Sequence, residues 1–397
     1  MDFTRLKNYM DRLVSEYNVP GVDCIVYREH EQLFRYYTGK SNVENQKEMN
    51  GEELYLIFSM TKMLTCTAAL QLLEAGKFIV TDPVSKYIPE FASMKLSDEA
   101  LNLVNAANIA TGASVGESSA EDGNRIAKTP ITIEHLFSMT AGFNYDLGAP
   151  YIKEAIAEGR TSTLELVKAL AKTPLGFEPG TRYRYSLCHD ILGGLIEVWS
   201  GKRLGEYMKE NIFDVLGMKN TFFGVPKDEE RLSRMAALYN HGADRKPVRV
   251  ELSCPYNLSP DYESGGAGLT SCPEDYALFL DALANGGIGK NGGRILSSAS
   301  IALMSANHLV TPQTLADFQQ GHVGKGYGYG YAVRTHYDNA LSGSLSSIGE
   351  FGWDGAAGAV SLVDPAKKLS FVYFQHCHGW DSRKQKEMRN VLYSCID

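Results

Sequence analysis

The chain has 397 residues, 44% of them hydrophobic and 22% charged, with a formal net charge of −8 and a pI of about 5.7. That composition supports a globular protein with one large core or two, and its acidic balance argues against nucleic acid or anionic membranes as partners. The seven cysteines (Cys24, Cys66, Cys188, Cys254, Cys272, Cys377 and Cys395) are odd in number and show no CxxC spacing, which fits reduced thiols rather than a disulfide framework.

The first segment repeats apolar residues at helical spacing: Phe3, Leu6, Met10, Leu13, Val14 and Tyr17. It has no apolar h-region and no small-residue cleavage site, so it does not read as a signal peptide, and the expected location is cytoplasmic. No apolar run approaches the length of a membrane span. GVDCIVYREHEQLFRYYTG predicts two strands joined by a polar turn. LYLIFS then leads into MTKMLTCTAALQLLEAGK, a helix closed by Gly76. From about Ser97 to Lys128 the chain is polar and rich in Gly and Ser, which predicts a long surface excursion. From ITIEHLFSM to about Arg234 the patterns are helical, including TSTLELVKALAKT, HDILGGLIEVWSG and LGEYMKENIF. After about residue 254 comes a Gly-rich turn and helix, ESGGAGLTSCPEDYALFLDALANGG, and a loop is expected from Asn307 to Gly326. Short strands follow in GYGYGYAVR, FGWDGAAGAVSLVD and LSFVYFQ, and the closing helix is SRKQKEMRNVLYSCI. Strands at both ends predict an α+β fold: one antiparallel sheet with terminal helices on one face and a mostly helical domain inserted between its halves. The predicted division is residues 1–82 with 255–397 as one domain and 83–254 as the other, with a site between them.

Three pieces of sequence carry chemistry. Ser59-Met60-Thr61-Lys62 is the only SxxK, and its spacing puts serine and lysine on one helical face. Ser59 falls at a strand-to-helix junction, where free backbone N–H groups favour negative charge. Lys62 lies in an otherwise apolar helix, a setting that suits a lysine acting as a base. About one SxxK is expected by chance in a chain of this length, so the motif alone decides nothing. Tyr185 precedes a helix that carries Gly193 and Gly194, which would allow close approach to another helix, such as the small-residue face of the Ser59 helix. Trp353-Asp354-Gly355-Ala356 opens a Gly-rich strand, and an N–H at Ala356 could pair with that of Ser59 as an oxyanion hole. His189, four residues beyond Tyr185, suits either a site wall or a structural position. Gly112-Ala113-Ser114-Val115-Gly116 fits GxSxG, but its polar flanks lack the strand and helix that motif needs. His376-Cys377-His378 ends a strand-like run and is a weak metal candidate; no metal is expected.

In this order the motifs resemble the serine β-lactamase and penicillin-binding-protein superfamily, in particular its class C β-lactamase-like group and the family VIII carboxylesterases. IFSMTKMLTCTAALQLLEAGK, VTDPVSKYIPEF, TIEHLFSMTAGF, FEPGTRYRYS, SGGAGLTSCPEDYALF and GYGYGY carry the resemblance across nearly the whole chain. It implies a β-lactamase-like fold, Ser59 as nucleophile, Lys62 and Tyr185 as shared general base, and oxyanion-hole N–H groups from Ser59 and Ala356. It implies no metal or organic cofactor, and a small-molecule ester or amide as substrate.

Two departures bear on that substrate. Leu187 stands where related β-lactamases carry Asn, and Trp353 where they carry the Lys of KTG. Trp353 and Asp354 disfavour an anion, and the implied activity shifts from β-lactams toward small neutral esters. Leu187, Trp353, Tyr327 and Tyr329 offer apolar walls for an acyl group, with Asp354, Gly355 and His189 also expected near the substrate. Arg182, Arg184 or Arg334 could restore a cation. The alternatives are a β-lactamase or D,D-peptidase, an acyltransferase using the same acyl-enzyme, and a non-catalytic penicillin-binding-like sensor.

Overall fold

The computed structural model describes residues 1–98, 125–321, 323–379 and 382–396. Most of the expected surface excursion, including Ser114 and its GxSxG match, lies outside the described residues.

Helix α1 (Thr4–Ser15) buries Leu6, Tyr9, Met10 and Leu13, one stripe of its predicted pattern. Strands β1 (Gly21–Arg28) and β2 (Glu31–Asn42) form the expected hairpin. Its two turn residues, Glu29 and His30, both have positive φ, as a tight two-residue turn between right-twisted strands requires. The short strands β3 (Lys47–Glu48) and β4 (Tyr55–Leu56) lead to helix α2 (Thr61–Glu74). Helices α3 (Ile133–Phe137), α4 (Pro150–Ala157), α5 (Thr163–Leu170) and α6 (Cys188–Ser200) occupy the stretch read as helical. Strands β5 (Phe222–Phe223), β6 (Tyr239–His241), β7 (Pro247–Arg249) and β8 (Leu269–Ser271) precede helix α7 (Pro273–Ala284). Helix α8 (Pro312–Gly321) then occupies much of the segment expected to be loop. Strands β9 (Tyr327–Tyr329), β10 (Arg334–His336), β11 (Phe351–Gly352), β12 (Val360–Asp364), β13 (Leu369–Phe374) and β14 (Cys377–His378) precede the closing helix α9 (Ser382–Tyr393).

The main sheet has eight strands in the order β3-β2-β1-β13-β12-β11-β10-β9, antiparallel throughout and drawn from both ends of the chain. The N- and C-terminal parts of the chain meet in its β1–β13 pair, in register from Asp23 opposite Phe374 to Arg28 opposite Leu369. Alternation divides its side chains. Val22, Cys24 and Val26 join Leu362, Phe371 and Tyr373 beneath α1 and α9. Ile25, Val372 and Phe374 face the opposite way, into the larger core that contains α7 and α2. The fold is α+β, with terminal helices covering one sheet face.

Three details depart from the sequence reading. The stretch before residue 254 is not wholly helical: β6 pairs with both β7 and the C-terminal β14. Trp353 does not begin a strand but follows β11, and Trp353–Ala359 is the connection to β12. Helix α6 packs on α2 and α5, yet its glycines do not face α2. A methyl group at Gly194 would meet Val167 of α5 at 2.9 Å, and one at Gly193 would meet Leu204 at 3.0 Å. Among the described residues no helix is long and apolar enough to cross a membrane.

Candidate active site

The segment before α2 is held on both sides. Ile57 N donates to Leu269 O (3.0 Å), tying the end of β4 to β8. Phe58 then takes φ +46°, a left-handed conformation that is costly for a bulky residue and persists only where packing fixes it. Its buried ring lies 5.2 Å from His378 and 6.2 Å from Tyr256. This kink and the single turn Phe58–Met60 carry Ser59 to the mouth of α2.

Lys62, in the first turn of α2, is fully buried. A buried lysine Nζ needs polar partners in place of water. Nζ donates to Ser59 Oγ (3.1 Å), Tyr145 OH (3.1 Å) and Gly266 O (2.6 Å).

Tyr185 OH donates to Ser59 Oγ at 2.7 Å and accepts from Trp353 Nε1 at 3.2 Å. Its ring is sandwiched between Tyr145 and Trp353, each with centroid 5.6 Å away. Lys62 Nζ lies 4.6 Å from the same ring centroid, a favourable cation–π placement. Two backbone bonds, Arg184 N to Met139 O (3.0 Å) and Leu187 N to Asn144 O (3.2 Å), bind the Tyr185 segment to the Tyr145 segment. That pairing makes the two phenols neighbours although 40 residues separate them in sequence. Burial pushes the Tyr145 phenol well above its ordinary range, and the nearby Tyr185 and Asp190 act in the same direction.

The third wall is the turn from Trp353 to Ala359. Gly355 N donates to Ala359 O and Gly358 N to Gly355 O, both at 2.9 Å. A methyl group at Gly355 would come 2.7 Å from Ile57 O, so only glycine lets this turn lie against the backbone two residues before Ser59. His378 Nδ1 is paired with Ala356 O at 3.2 Å, which fixes the peptide on the cavity's edge. A cavity of about 230 Å³ is lined by Ser59, Tyr185, Tyr256, Val323, Trp353 and Ala356, with Gly321, Asp354 and Gly355 at the same wall.

The geometry thus gathers Ser59, Lys62, Tyr185, Trp353, Asp354, Gly355 and Ala356. Leu187 and His189 do not line this cavity. Both are buried at the start of α6, where the helix turns them into packed protein. Burial pushes the His189 imidazole well below its ordinary range. Tyr327 and Tyr329 are also buried and do not line it, although Tyr329 supports Trp353 edge-on at 5.1 Å. The proposed cations are committed elsewhere. Arg182 makes two bonds to Asp317 (2.6 and 2.8 Å). Arg334 is fully buried between Glu350 (3.1 Å) and Asp354 (3.2 Å). Arg184 lies against the Phe177 ring at 5.5 Å.

Sequence reasoning missed Tyr145 and Tyr256. Tyr145 lies two residues beyond TIEHLFSMTAGF, so that landmark pointed close to it. Nothing in spacing separates Tyr256 from the other 21 tyrosines. Among the described residues no three or more His, Cys, Asp or Glu side chains are grouped to hold a metal ion. His376 instead pairs with Ala236 O (2.9 Å), and Cys377 lies 3.8 Å from His241.

Comparison with known proteins agrees with this architecture. The Esterase EstB of Burkholderia gladioli is 29% identical over 408 residues, covering 98% of this chain and 95% of that protein. Protein Rv1367c of Mycobacterium tuberculosis is 28% identical over 367 residues, covering 90% of this chain and 86% of that protein. Among solved structures, EstCE1, described as a hydrolase with promiscuous acyltransferase activity, superposes with a TM-score of 0.77 at 24% identity, covering 98% of this chain and 97% of that one. The family model described as Beta-lactamase matches residues 6–393, and the chain therefore belongs to the Beta-lactamase family.

Proposed function

We propose that the protein is a serine carboxylesterase that forms its acyl-enzyme on Ser59. The observation that carries this reading is the convergence of Lys62 Nζ and Tyr185 OH on one oxygen, Ser59 Oγ, at the wall of an apolar cavity. As Oγ attacks the ester carbonyl, its proton passes to the Lys62–Tyr185 pair. Backbone N–H groups of Ser59 and Ala356 face the developing oxyanion. The pair returns the proton to the departing alkoxide. The same pair then takes a proton from water, which hydrolyses the acyl–Ser59 bond and restores the serine.

The cavity favours a small neutral acyl group. Its walls are aromatic and aliphatic, its one carboxylate (Asp354) is paired with Arg334, and Arg334 is held by two carboxylates. An anionic substrate would meet no uncommitted cation among the described lining residues. The likeness to Esterase EstB supports the same reading. Ser59 and Trp353 come from the sheet-bearing part of the chain and Tyr145 and Tyr185 from residues 83–254, which supports a site between two domains divided near residues 82 and 254. Seven buried, unpaired cysteines support a reducing, cytoplasmic setting.

The test compares short-chain nitrophenyl esters with a chromogenic cephalosporin, on the native protein and on Ser59→Ala. Ester turnover that vanishes in the variant is expected. Ester turnover that survives it would remove Ser59 from the mechanism, and cephalosporin turnover far above ester turnover would make the enzyme a β-lactamase. Absence of any covalent adduct with a fluorophosphonate or a penicillin would make it a binding protein.

A further inference from the structure

Behind the site lies a buried carboxylate that the mechanism above does not use. Asp190 sits in the first turn of α6, five residues after Tyr185, and is almost wholly buried. Its Oδ1 accepts from Ser264 Oγ (2.6 Å) and Tyr262 OH (2.9 Å). Ser264 Oγ also accepts from Ala267 N (3.1 Å), so Asp190 anchors the whole Gly-rich turn before β8.

That turn is what Lys62 touches: Gly266 O is its shortest acceptor, at 2.6 Å. Asp190 Oδ2 abuts the same residue. A methyl group at Gly266 would come 2.4 Å from Oδ2 and 3.2 Å from Tyr145 OH, the phenol that also accepts from Lys62. Gly265 shows the same closeness, since a methyl there would meet His189 O at 2.5 Å. The two glycines let α6 press its carboxylate directly against the peptide that holds the lysine.

We infer that Asp190 is a positioning residue for Ser59 acylation: it fixes the Gly266 carbonyl on Lys62 Nζ, and its buried charge opposes the positive charge Lys62 acquires on taking the serine proton. The inference rests on Ser59, Lys62 and Tyr185 being the catalytic group.

Burial pushes the Asp190 carboxyl up, opposed by the Ser264 bond and by the charge of Lys62. The other ionisable groups facing this pocket are uncharged near neutrality. Burial raises the Tyr145, Tyr256 and Tyr262 phenols and the Cys66, Cys188 and Cys254 thiols, and lowers the His189 imidazole. Asp190 is therefore the carboxyl group that faces Lys62 in this pocket.

The test is the rate of Ser59 labelling by a fluorophosphonate across pH, a readout that needs no knowledge of the natural ester. Removing a negative charge beside a base lowers its hold on a proton. In Asp190→Asn the acid limb of the rate profile should move down by about one pH unit, and the plateau rate should fall about tenfold. Tyr262→Phe strips one bond from Oδ1 at almost constant volume and should move both in the same direction by less. It decides the matter if Asp190→Asn fails to fold, as judged by circular dichroism. A folded variant whose acid limb stays at the native position overturns the inference, whatever its plateau rate. Failure of the native protein to label at all would overturn the esterase reading instead.

Discussion

Two buried basic side chains each contact a residue of the cavity wall, Lys62 at Ser59 and Arg334 at Asp354, and they are held in opposite ways. Lys62 gives its three hydrogen bonds to neutral oxygens: a serine, a tyrosine and a peptide carbonyl. Arg334 gives its bonds to Glu350, Asp354 and the Ser361 carbonyl. A cation between carboxylates is structural, because separating it from either leaves an uncompensated charge in the core. On the proposed mechanism the first arrangement supplies the base, and the second removes the cation an anionic substrate would need. Reactivity and substrate preference therefore trace to the company each cation keeps.

The sharpest way to break this contrast is to neutralise each cation in turn. Lys62→Met should lower kcat about a thousandfold while the protein stays folded, measured as ester turnover beside a thermal melt. Arg334→Met should do the reverse. It should cost about 3 to 5 kcal/mol in a denaturant titration, while the folded fraction keeps most of its activity. Loss of stability in the first variant, or of chemistry in the second, would dissolve the distinction.

A third buried group sharpens it. His376 has no counter-charge, and burial lowers its imidazole to about 4 from the ordinary 6.5. Between those values the unfolded chain binds a proton that the folded chain refuses, so stability is present above pH 6.5 and is lost as pH falls toward 4. In His376→Gln that loss should shrink by about 3 kcal/mol, read from unfolding free energies across the window. An unchanged slope would mean the imidazole finds a partner as it charges.

The smallest expected effect concerns the indole of Trp353. Trp353→Phe keeps the stacking against Tyr185 but removes the N–H donated to its oxygen, and kcat should fall about tenfold. Trp353→Lys should raise cephalosporin turnover relative to ester turnover. If the ratio does not move, the Trp353 position does not set the preference against anions.

Much of this was legible in the chain itself. Ser59 and Lys62 lie three apart on one helix, so their meeting is a local fact, and strand alternation from Val22 to Val26 already divided the faces of the central sheet. Tyr185 needed the resemblance, because no local rule brings a residue 126 positions away to Ser59 Oγ. Reasoning failed where long-range pairing decides. Trp353 opens a turn because Phe351 pairs with Val363 across it. His189 and Leu187 look adjacent to Tyr185 in sequence, yet helix geometry turns them into packed protein.

By itself the sequence determined the α+β class and the spacing that sets Lys62 beside Ser59, since both rest on short-range periodicity, while the roles of that pair and the reading of Trp353 in place of a lysine came from the resemblance. Only the tertiary structure decided that Tyr145 and Gly266 complete the shell of Lys62, that Arg334 is consumed by Glu350 and Asp354, and that Asp190 stands behind the base. Those contacts join segments far apart in the chain. Which charge meets which partner depends on how the glycine-bearing turns and helices close on one another, and no periodicity encodes that closure.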